Sequence, residues 1–252
     1  MVASVTLDTR VLGSGPRAVL VHGGAGPQRT WEMQPPLAER WQLVIPSRRG
    51  FGRSPAPERQ DFEHDAADLL PLLAPGAHLA GFSYGGLGAL IAAGRRPDLV
   101  RSLTVIETPL FAIAPGDPGI ERFERLSDEF LADCLDARPE VLAEFLPAAA
   151  LPAPAAGPLP PDVEAELRLA RGGRRPGEAL PDLDAIRRAG LPVLVVSGDH
   201  LAAIERLCDV LAEAVGGERA VIPGRGHAIP RADGFNERLE EFWAAAESAR
   251  AR

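Results

Sequence analysis

Short apolar runs alternate with longer segments of helical periodicity along most of the chain. The runs predict strands at residues 5–11, 18–21, 43–45, 78–80, 103–106, 193–196 and 220–222. Strands that alternate with helices are typical of βαβ units. We therefore expect an α/β fold with a parallel sheet.

Two of the intervening segments carry apolar residues three or four positions apart, a spacing that places them on one face of a helix. These residues are Phe62, Ala66, Leu69, Leu70 and Leu73 in the first segment, and Phe235, Leu239, Phe242 and Trp243 in the second. We expect both helices to pack on the sheet through these faces.

The stretch from Pro109 to about Leu180 breaks this alternation, because helical patterns follow one another there without a strand between them. Its apolar helical faces lie at Phe123, Leu126 and Phe130, at Val141, Leu142, Phe145 and Leu146, and at Val163 with Leu167. We interpret residues 109–180 as a helical lid inserted into a core that is formed by residues 1–108 and 181–252.

Residues 146–161 are rich in Pro and Ala, which predicts a loop or an extended connector. Two interpretations stay open for this connector. It is either a spacer without ligand contact or a flexible edge of a substrate entrance.

Composition and charge narrow the classes of function. Hydrophobic residues at 46% and charged residues at 25% are ordinary for a globular protein, and the net charge of −8 disfavours binding to a polyanion. The sequence starts without a signal-peptide pattern, and no apolar run is long enough to span a bilayer. We expect a cytoplasmic protein with a small-molecule substrate and without nucleic acid or membrane partners; the pattern does not indicate an oligomeric state.

The two cysteines are interpreted as core residues. Cys208 falls among Ile204, Leu207 and Leu211 on the apolar face of a predicted helix, and Cys134 lies in a similar pattern. Neither has the spacing of a metal-ligand or redox pair, so we expect no metal site from them.

The strongest chemical signal is the segment from Gly81 to Gly85, which reads Gly-Phe-Ser-Tyr-Gly. It follows a predicted strand and precedes a helix of small residues, the setting of a nucleophile elbow. A strand that turns sharply into a helix presents Ser83 above the sheet, and glycines on both sides relieve the crowding. Ser83 is therefore the predicted nucleophile.

A glycine-rich loop, residues 22–26, follows the predicted strand 18–21. Its position allows a backbone N–H to reach the elbow, so we assign the donors for a developing oxyanion to the N–H groups of Gly24 and Tyr84, with Gly23 beside them. His22 is interpreted as a residue that orders the loop rather than as a base.

The predicted base is His227, in the turn after the last strand. A neutral imidazole can accept the proton of a serine near pH 7. Of the other histidines, His200 also follows a strand and could reach the site, and we rank it below His227.

These motifs stand in the order His-Gly-Gly, then Arg-Gly-Phe-Gly-Arg-Ser at 49–54, then Gly-Phe-Ser-Tyr-Gly-Gly, then Pro-Gly-Arg-Gly-His at 223–227. In this the chain resembles the α/β-hydrolase family along nearly its whole length. The resemblance implies a mostly parallel eight-stranded sheet flanked by helices, a Ser–acid–His triad and no cofactor. Ser47 stands where many relatives have Asp, a departure that we interpret as structural.

The acid of the triad has two candidates, each at the end of a strand between Ser83 and His227 in the chain. The family's usual position for the acid is occupied here by Leu201, so Asp199 would need a shortened loop. Glu107 would correspond to the relocated acid that some family members carry after the preceding strand. The sequence leaves both open, with a slight preference for Glu107.

Hydrolysis of an ester, lactone or thioester through an acyl-enzyme on Ser83 is the first hypothesis, and hydrolysis of a carbon–carbon bond would use the same residues. Ser83 excludes the Asp nucleophile of the epoxide hydrolases and haloalkane dehalogenases of this fold. The alternatives are a lyase or cyclase and a non-catalytic binding protein. The candidate aromatic contacts for an apolar substrate are Trp31, Phe82, Tyr84 and Phe111.

Overall fold

The computed structural model describes residues 3–151 and 157–250, which fold around one twisted sheet. Its strands are β1 (Thr9–Leu12), β2 (Arg17–Val21), β3 (Gln42–Pro46), β4 (Ala77–Phe82), β5 (Val100–Ile106), β6 (Val193–Ser197) and β7 (Glu218–Val221). The order across the sheet is β1-β3-β2-β4-β5-β6-β7, and only β1 runs antiparallel to its neighbour. The prediction of a mostly parallel sheet is confirmed.

Helices fill the connections between the strands. They are α1 (Pro27–Thr30), α2 (Phe62–Leu73), α3 (Tyr84–Arg95), α4 (Pro118–Asp133), α5 (Pro139–Ala148), α6 (Pro161–Arg168), α7 (Leu183–Arg188), α8 (Ala202–Val215) and α9 (Phe235–Arg250). Short 3₁₀ turns lie at Pro35–Glu39, Pro97–Leu99, Phe111–Ile113, Cys134–Asp136, Pro176–Glu178 and Ile229–Arg231. No helix in the described ranges is both long and apolar enough to cross a membrane.

The sheet is buried on both faces, because its strands alternate between two apolar layers. Val19 and Val21 of β2 pack with α2, α3 and α8, whereas Ala18 and Leu20 pack with α9. Successive side chains of a strand point to opposite faces, so a nearly continuous apolar strand can serve two cores at once. This explains why the strands read as apolar runs rather than as alternating patterns.

Two details of the sheet differ from the prediction. The first strand begins at Thr9 rather than at residue 5, since the N–H groups of Val5 and Asp8 donate to the side chains of Asp68 and Ser54 instead of to a neighbouring strand. The expected eighth strand is not found in residues 3–151 and 157–250, where the sheet has seven.

Helices α4, α5 and α6 follow one another between β5 and β6 without an intervening strand in the described residues, and they share a small apolar cluster of their own. The predicted connector at 146–161 begins later than expected, because α5 continues to Ala148. Leu146 is buried in that cluster and holds the last turn in place, although Pro147 lies within it. Residues 152–156 of the predicted connector lie outside the described residues.

Candidate active site

Ser83 lies between β4 and α3 with a backbone φ of 52°. This left-handed conformation is costly for a residue with a side chain, by about 1–3 kcal/mol, and is found mostly at functional sites. The turn is also crowded: a Cβ on Gly85 would lie 2.1 Å from the carbonyl oxygen of His22, and one on Gly81 would lie 2.7 Å from Ala89 Cβ. Only glycine fits at both positions, which explains the predicted Gly-Phe-Ser-Tyr-Gly pattern.

Three side chains predicted from separate parts of the sequence meet at the carboxyl end of the sheet. The Nε2 of His227 lies 3.0 Å from Ser83 Oγ, and its Nδ1 lies 2.5 Å from Glu107 Oε2. Each ring nitrogen of His227 therefore faces one partner, with a hydroxyl on one side and a carboxylate on the other. In this arrangement, His227 Nε2 can take the proton of the Ser83 hydroxyl while the Nδ1–H of His227 stays hydrogen-bonded to the Glu107 carboxylate.

Glu107 is fully buried directly after β5, and its backbone φ is 44°. Its Oε1 accepts a hydrogen bond of 2.7 Å from the N–H of Gly198 and lies 3.2 Å from His200 Nδ1. Burial would raise the pKa of this carboxyl, but the contacts with His200 and His227 outweigh burial and lower the pKa to about 2. The side chain is thus held as a carboxylate behind His227.

Asp199, the alternative acid, is placed differently. Its side chain is exposed, and its N–H donates to Glu205 Oε1 at the start of α8. Asp199 follows a strand, as Ser83 and Glu107 do, and like them it has a positive backbone φ, here 53°. The carboxylate in contact with His227 is that of Glu107, whereas Asp199 lies in the loop between β6 and α8.

The glycine-rich loop is held by His22, as predicted. The Nδ1 of the buried imidazole lies 2.8 Å from the carbonyl oxygen of Ala25, and Nε2 accepts from the N–H of Arg48 at 2.9 Å. Burial, with the nearby charge of Arg48, lowers the pKa of His22 to about 3. With both ring nitrogens engaged and its charged form disfavoured by burial, this imidazole orders the loop rather than acting as a base.

Arg48 was missed by the sequence reasoning, although it is central to the loop. Its guanidinium is buried and contacts the carboxylate of Asp65 at 2.8 Å, the carbonyl oxygen of Gly23 at 3.0 Å and Gln60 Oε1 at 2.8 Å. The sequence motif at 49–54 begins one residue later, at Arg49. An Arg with so many buried acceptors fixes the distance between this loop and α2.

The predicted oxyanion donors, Gly24 and Tyr84, line the same cavity as Ser83. Tyr84 is the first residue of α3, where backbone N–H groups have no partner within the helix, and Gly24 lines the cavity above Ser83. A Cβ on Gly23 would lie 2.8 Å from Ser83 Cβ, so this part of the loop packs directly on the nucleophile. The phenol of Tyr84 points elsewhere and donates to the carbonyl oxygen of Arg174 at 2.9 Å.

A cavity of about 190 Å³ opens above Ser83. Its wall is largely apolar and is formed in part by Phe111, Phe123, Phe130, Phe145, Val163 and Leu167 from the stretch 109–180. Of the aromatic candidates, Phe82, Tyr84 and Phe111 line the cavity. Several times the volume of one water is enclosed, which accommodates a small organic group.

Trp31 is the exception among these aromatic residues, and its predicted role as a substrate contact is wrong. The chain leaves α1 and turns this side chain into the core beneath the sheet, where it is 2% exposed and packs in the same apolar layer as α9. Periodicity could not show this, because α1 is a single turn.

His200, which the sequence analysis ranks below His227 as a candidate base, lies directly beside the triad acid. It contacts Glu107 from the side opposite His227, and the two imidazole rings are 6.1 Å apart between centroids. Ligand-type atoms of Glu107, His200 and His227 lie within 4.8 Å of one another. The carboxylate of Glu107 is hydrogen-bonded to His227, and it lies 3.2 Å from His200 Nδ1 in an ion-pair contact that lacks hydrogen-bond geometry.

Comparison with solved structures places the same architecture in other proteins. The 2-hydroxy-6-oxo-6-phenylhexa-2,4-dienoate hydrolase of Rhodococcus sp. strain RHA1 superposes with a TM-score of 0.70 over 96% of this chain and 96% of its own, at 21% identity. At that identity the likeness shows the fold.

Curated relatives match part of the chain. A pimeloyl-acyl carrier protein methyl ester esterase of Methylococcus capsulatus is 36% identical over 135 residues, which cover 52% of this chain and 53% of that protein. A 2-(acetamidomethylene)succinate hydrolase of Mesorhizobium japonicum is 35% identical over 112 residues, 42% of this chain and 40% of that protein. The chain thus spans about half the length of these relatives, or less.

The family model described as alpha/beta hydrolase family matches residues 18–242, which include the elbow, the glycine-rich loop, Glu107 and His227. Since this match covers most of the chain, and since the sheet has the architecture of the Rhodococcus hydrolase, the chain belongs to the alpha/beta hydrolase family.

Proposed function

We propose that this protein is a serine esterase that hydrolyses a small carboxylic ester with an apolar acyl group, through an acyl-enzyme on Ser83. The observation that carries the proposal is the unbroken contact from Ser83 Oγ to His227 Nε2 and from His227 Nδ1 to Glu107. The ester-cleaving relative and the apolar cavity support the choice of an ester among the carbonyl substrates that this chemistry could use.

The first half of the reaction forms the acyl-enzyme. Ser83 Oγ attacks the carbonyl carbon while His227 Nε2 takes the hydroxyl proton, and the negative oxygen of the tetrahedral intermediate accepts from the N–H groups of Gly24 and Tyr84. Glu107 stabilises the imidazolium that forms. The carbon–oxygen bond to the alcohol then breaks, and His227 returns its proton to the departing alkoxide.

The second half releases the acid. Water gives a proton to His227 Nε2 and attacks the acyl carbon, and collapse of the second tetrahedral intermediate returns the proton to Ser83. The stretch 109–180 acts as a lid in this proposal, because its helices supply much of the apolar wall over the nucleophile.

The test has two parts. A fluorophosphonate should label the wild-type protein and the matched control Ser14→Ala, whose serine is exposed and far along the chain from the site, but should not label Ser83→Ala. In a separate assay without the label, a panel of 4-nitrophenyl esters of increasing acyl length should be cleaved by the wild type and Ser14→Ala but not by Ser83→Ala. Equal labelling of Ser83→Ala and the wild type would refute the assignment of the nucleophile.

Hydrolysis and rearrangement are separated by the source of oxygen in the product. With a cleaved ester in oxygen-18 water, we expect one labelled oxygen in the released acid. A product without oxygen-18, formed by a protein whose Ser83 reacts with the fluorophosphonate in a separate assay, would favour the lyase or cyclase chemistry instead.

A further inference from the structure

His200 connects the triad acid to the helical stretch that covers the cavity. On one side its Nδ1 lies 3.2 Å from Glu107 Oε1, and on the other its Nε2 lies 3.1 Å from the carbonyl oxygen of Ala148. Ala148 is the last residue of α5, where carbonyl groups lack a partner within the helix. One side chain therefore spans the gap between the sheet and α5.

Both neighbours of the His200 ring are acceptors. A backbone carbonyl can only accept, and Glu107 already accepts from Gly198 at Oε1 and from His227 at Oε2, which is the arrangement of an ionised carboxylate. A neutral imidazole has one N–H and would direct a lone pair at one of these oxygens. The imidazolium has an N–H at each nitrogen, so it donates to the Ala148 carbonyl from Nε2 and presents a protonated, positively charged Nδ1 to the Glu107 carboxylate 3.2 Å away.

The surrounding charges agree with a cation. The charged and titratable groups that face His200 are Glu107, His227 and, from α8, Glu205, which is paired with Arg219 of β7 at 2.6 Å. Burial would lower the pKa of His200, but the contact with the Glu107 carboxylate outweighs it, so the pKa is raised above 6.5. The side chain is 16% exposed, so this pair is screened only in part.

We propose that His200 is a positioning residue of the esterase reaction: as an imidazolium it forms an ion pair with Glu107 on one side and donates to the end of α5 on the other, and so holds the triad acid and the cavity wall in register. The inference rests on the proposed function for its kinetic consequences. The protonation state of His200 can be measured without it.

The sign of the pH effect follows from the raised pKa. The double link is complete below the ordinary imidazole pKa of 6.5 and is lost as the pH rises through the higher pKa of the folded protein. His227 must be neutral to act as a base, so its contribution to activity has the opposite pH dependence. The wild-type kcat/KM should therefore rise and then fall with pH, with His200 responsible for part of the fall.

The direct test is nitrogen NMR of the five imidazoles of the 252-residue chain, with the His200 signals assigned by their loss in His200→Gln. The expected result is a His200 titration midpoint above 6.5, with both nitrogens protonated below it, and a lower midpoint in Glu107→Gln. A midpoint at or below 6.5 would overturn the proposal. This readout does not depend on ester hydrolysis, so its failure is distinguishable from failure of the proposed function.

The kinetic test compares His200→Leu and His200→Gln with the matched control His64→Gln, which replaces a half-buried histidine of α2 outside the cavity lining. We expect kcat/KM to fall by about tenfold in His200→Leu, the loss that accompanies one hydrogen bond to a charged group. His200→Gln keeps a neutral donor and should lose the part of the fall at high pH that His200 causes. If His200→Leu matches His64→Gln, or if His200→Gln keeps the wild-type profile, His200 has no positioning role.

Discussion

The Nδ1 of His227 lies 2.5 Å from Glu107 Oε2, at the end of the strand next to the one that carries Ser83. The backbone continues the sheet at both residues: the N–H of Ser83 donates to the carbonyl of Ile106, and the N–H of Glu107 donates to that of Val196. The nucleophile and its acid are thus fixed by one hydrogen-bonded ladder. The parallel register of β4, β5 and β6 is what makes their positions precise.

The first prediction separates the two candidate acids. Glu107→Gln removes the charge beside His227 while leaving a side chain of the same size, so kcat for ester hydrolysis should fall by about 10⁴-fold, the scale known for neutralising a triad acid. Asp199→Asn should change kcat by less than about threefold, because an exposed substitution away from the reacting groups has little effect. Steady-state kinetics on both purified variants is the measurement. Equal losses in the two would contradict the assignment of Glu107.

A second prediction concerns the buried pair between Arg48 and Asp65. Arg48→Met leaves the carboxylate of Asp65 buried without its cation and should lower the free energy of unfolding by about 3–5 kcal/mol. Activity should fall as well, since Arg48 also holds the carbonyl of Gly23 beside Ser83.

The matched control for this variant is Arg53→Met. Arg53 also pairs with an aspartate, Asp8, at 3.0 Å, but its side chain is 90% exposed. Urea unfolding should show little or no change in stability for such a surface pair, because solvent screens its charges. A loss in Arg48→Met no larger than that of the control would show that the buried pair does not stabilise the loop.

The third prediction is a dependence of stability on pH through His22. Its pKa is about 3 in the folded protein and 6.5 as the reference for an unfolded chain, so the unfolded state binds a proton first as the pH falls. The contribution of this group to stability is complete above 6.5 and is lost as the pH falls toward 3. Between pH 7 and pH 5 the loss should amount to about 2 kcal/mol.

Urea titrations of the wild type and His22→Asn at the two pH values provide the measurement. The decrease between pH 7 and pH 5 should be smaller in His22→Asn by that amount, because the variant has no titrating group at this position. An identical decrease in both proteins would mean that His22 titrates normally when folded.

The fourth prediction tests the crowding at the elbow. Gly85→Ala would place a Cβ 2.1 Å from the backbone oxygen of His22, so we expect a loss of stability of about 1–3 kcal/mol and reduced activity. Gly24→Ala is the control in the neighbouring loop, since a Cβ there meets nothing within 4 Å. Its melting temperature should stay close to that of the wild type. A melting temperature for Gly85→Ala as high as that of Gly24→Ala would show that the turn relaxes without cost.

Much of the fold could be predicted because its signals are local. The central strands are short apolar runs, and each predicted helix carries its apolar residues on one face, so neither signal depends on distant residues. The first strand was placed too early for a non-local reason: the N–H groups of Val5 and Asp8 bond to side chains 63 and 46 positions away. No periodicity records such partners.

The site shows the same division. The elbow and its glycine-rich loop are recognisable because glycines are required where backbones approach closely, and His227 stands at a strand end, where the chemistry of a parallel sheet gathers. Arg48 was missed and Trp31 was assigned the wrong contact, because a side chain's partners depend on how the loops fold back. Trp31 reads as an aromatic beside the glycine-rich loop, yet the single turn of α1 directs it into the opposite layer.

The sequence by itself determined the class of fold, the elbow at Ser83, the loop that faces it and the position of His227, since all of these depend on local backbone requirements and on the order of strands. It left Glu107 and Asp199 both open, because each follows a strand and either carboxylate could serve. Only the tertiary structure decided which of them contacts His227, and that the other side of Glu107 is occupied by His200. The physical reason is that side chains remote in the chain meet only when the strands are in register and the loops between them have closed.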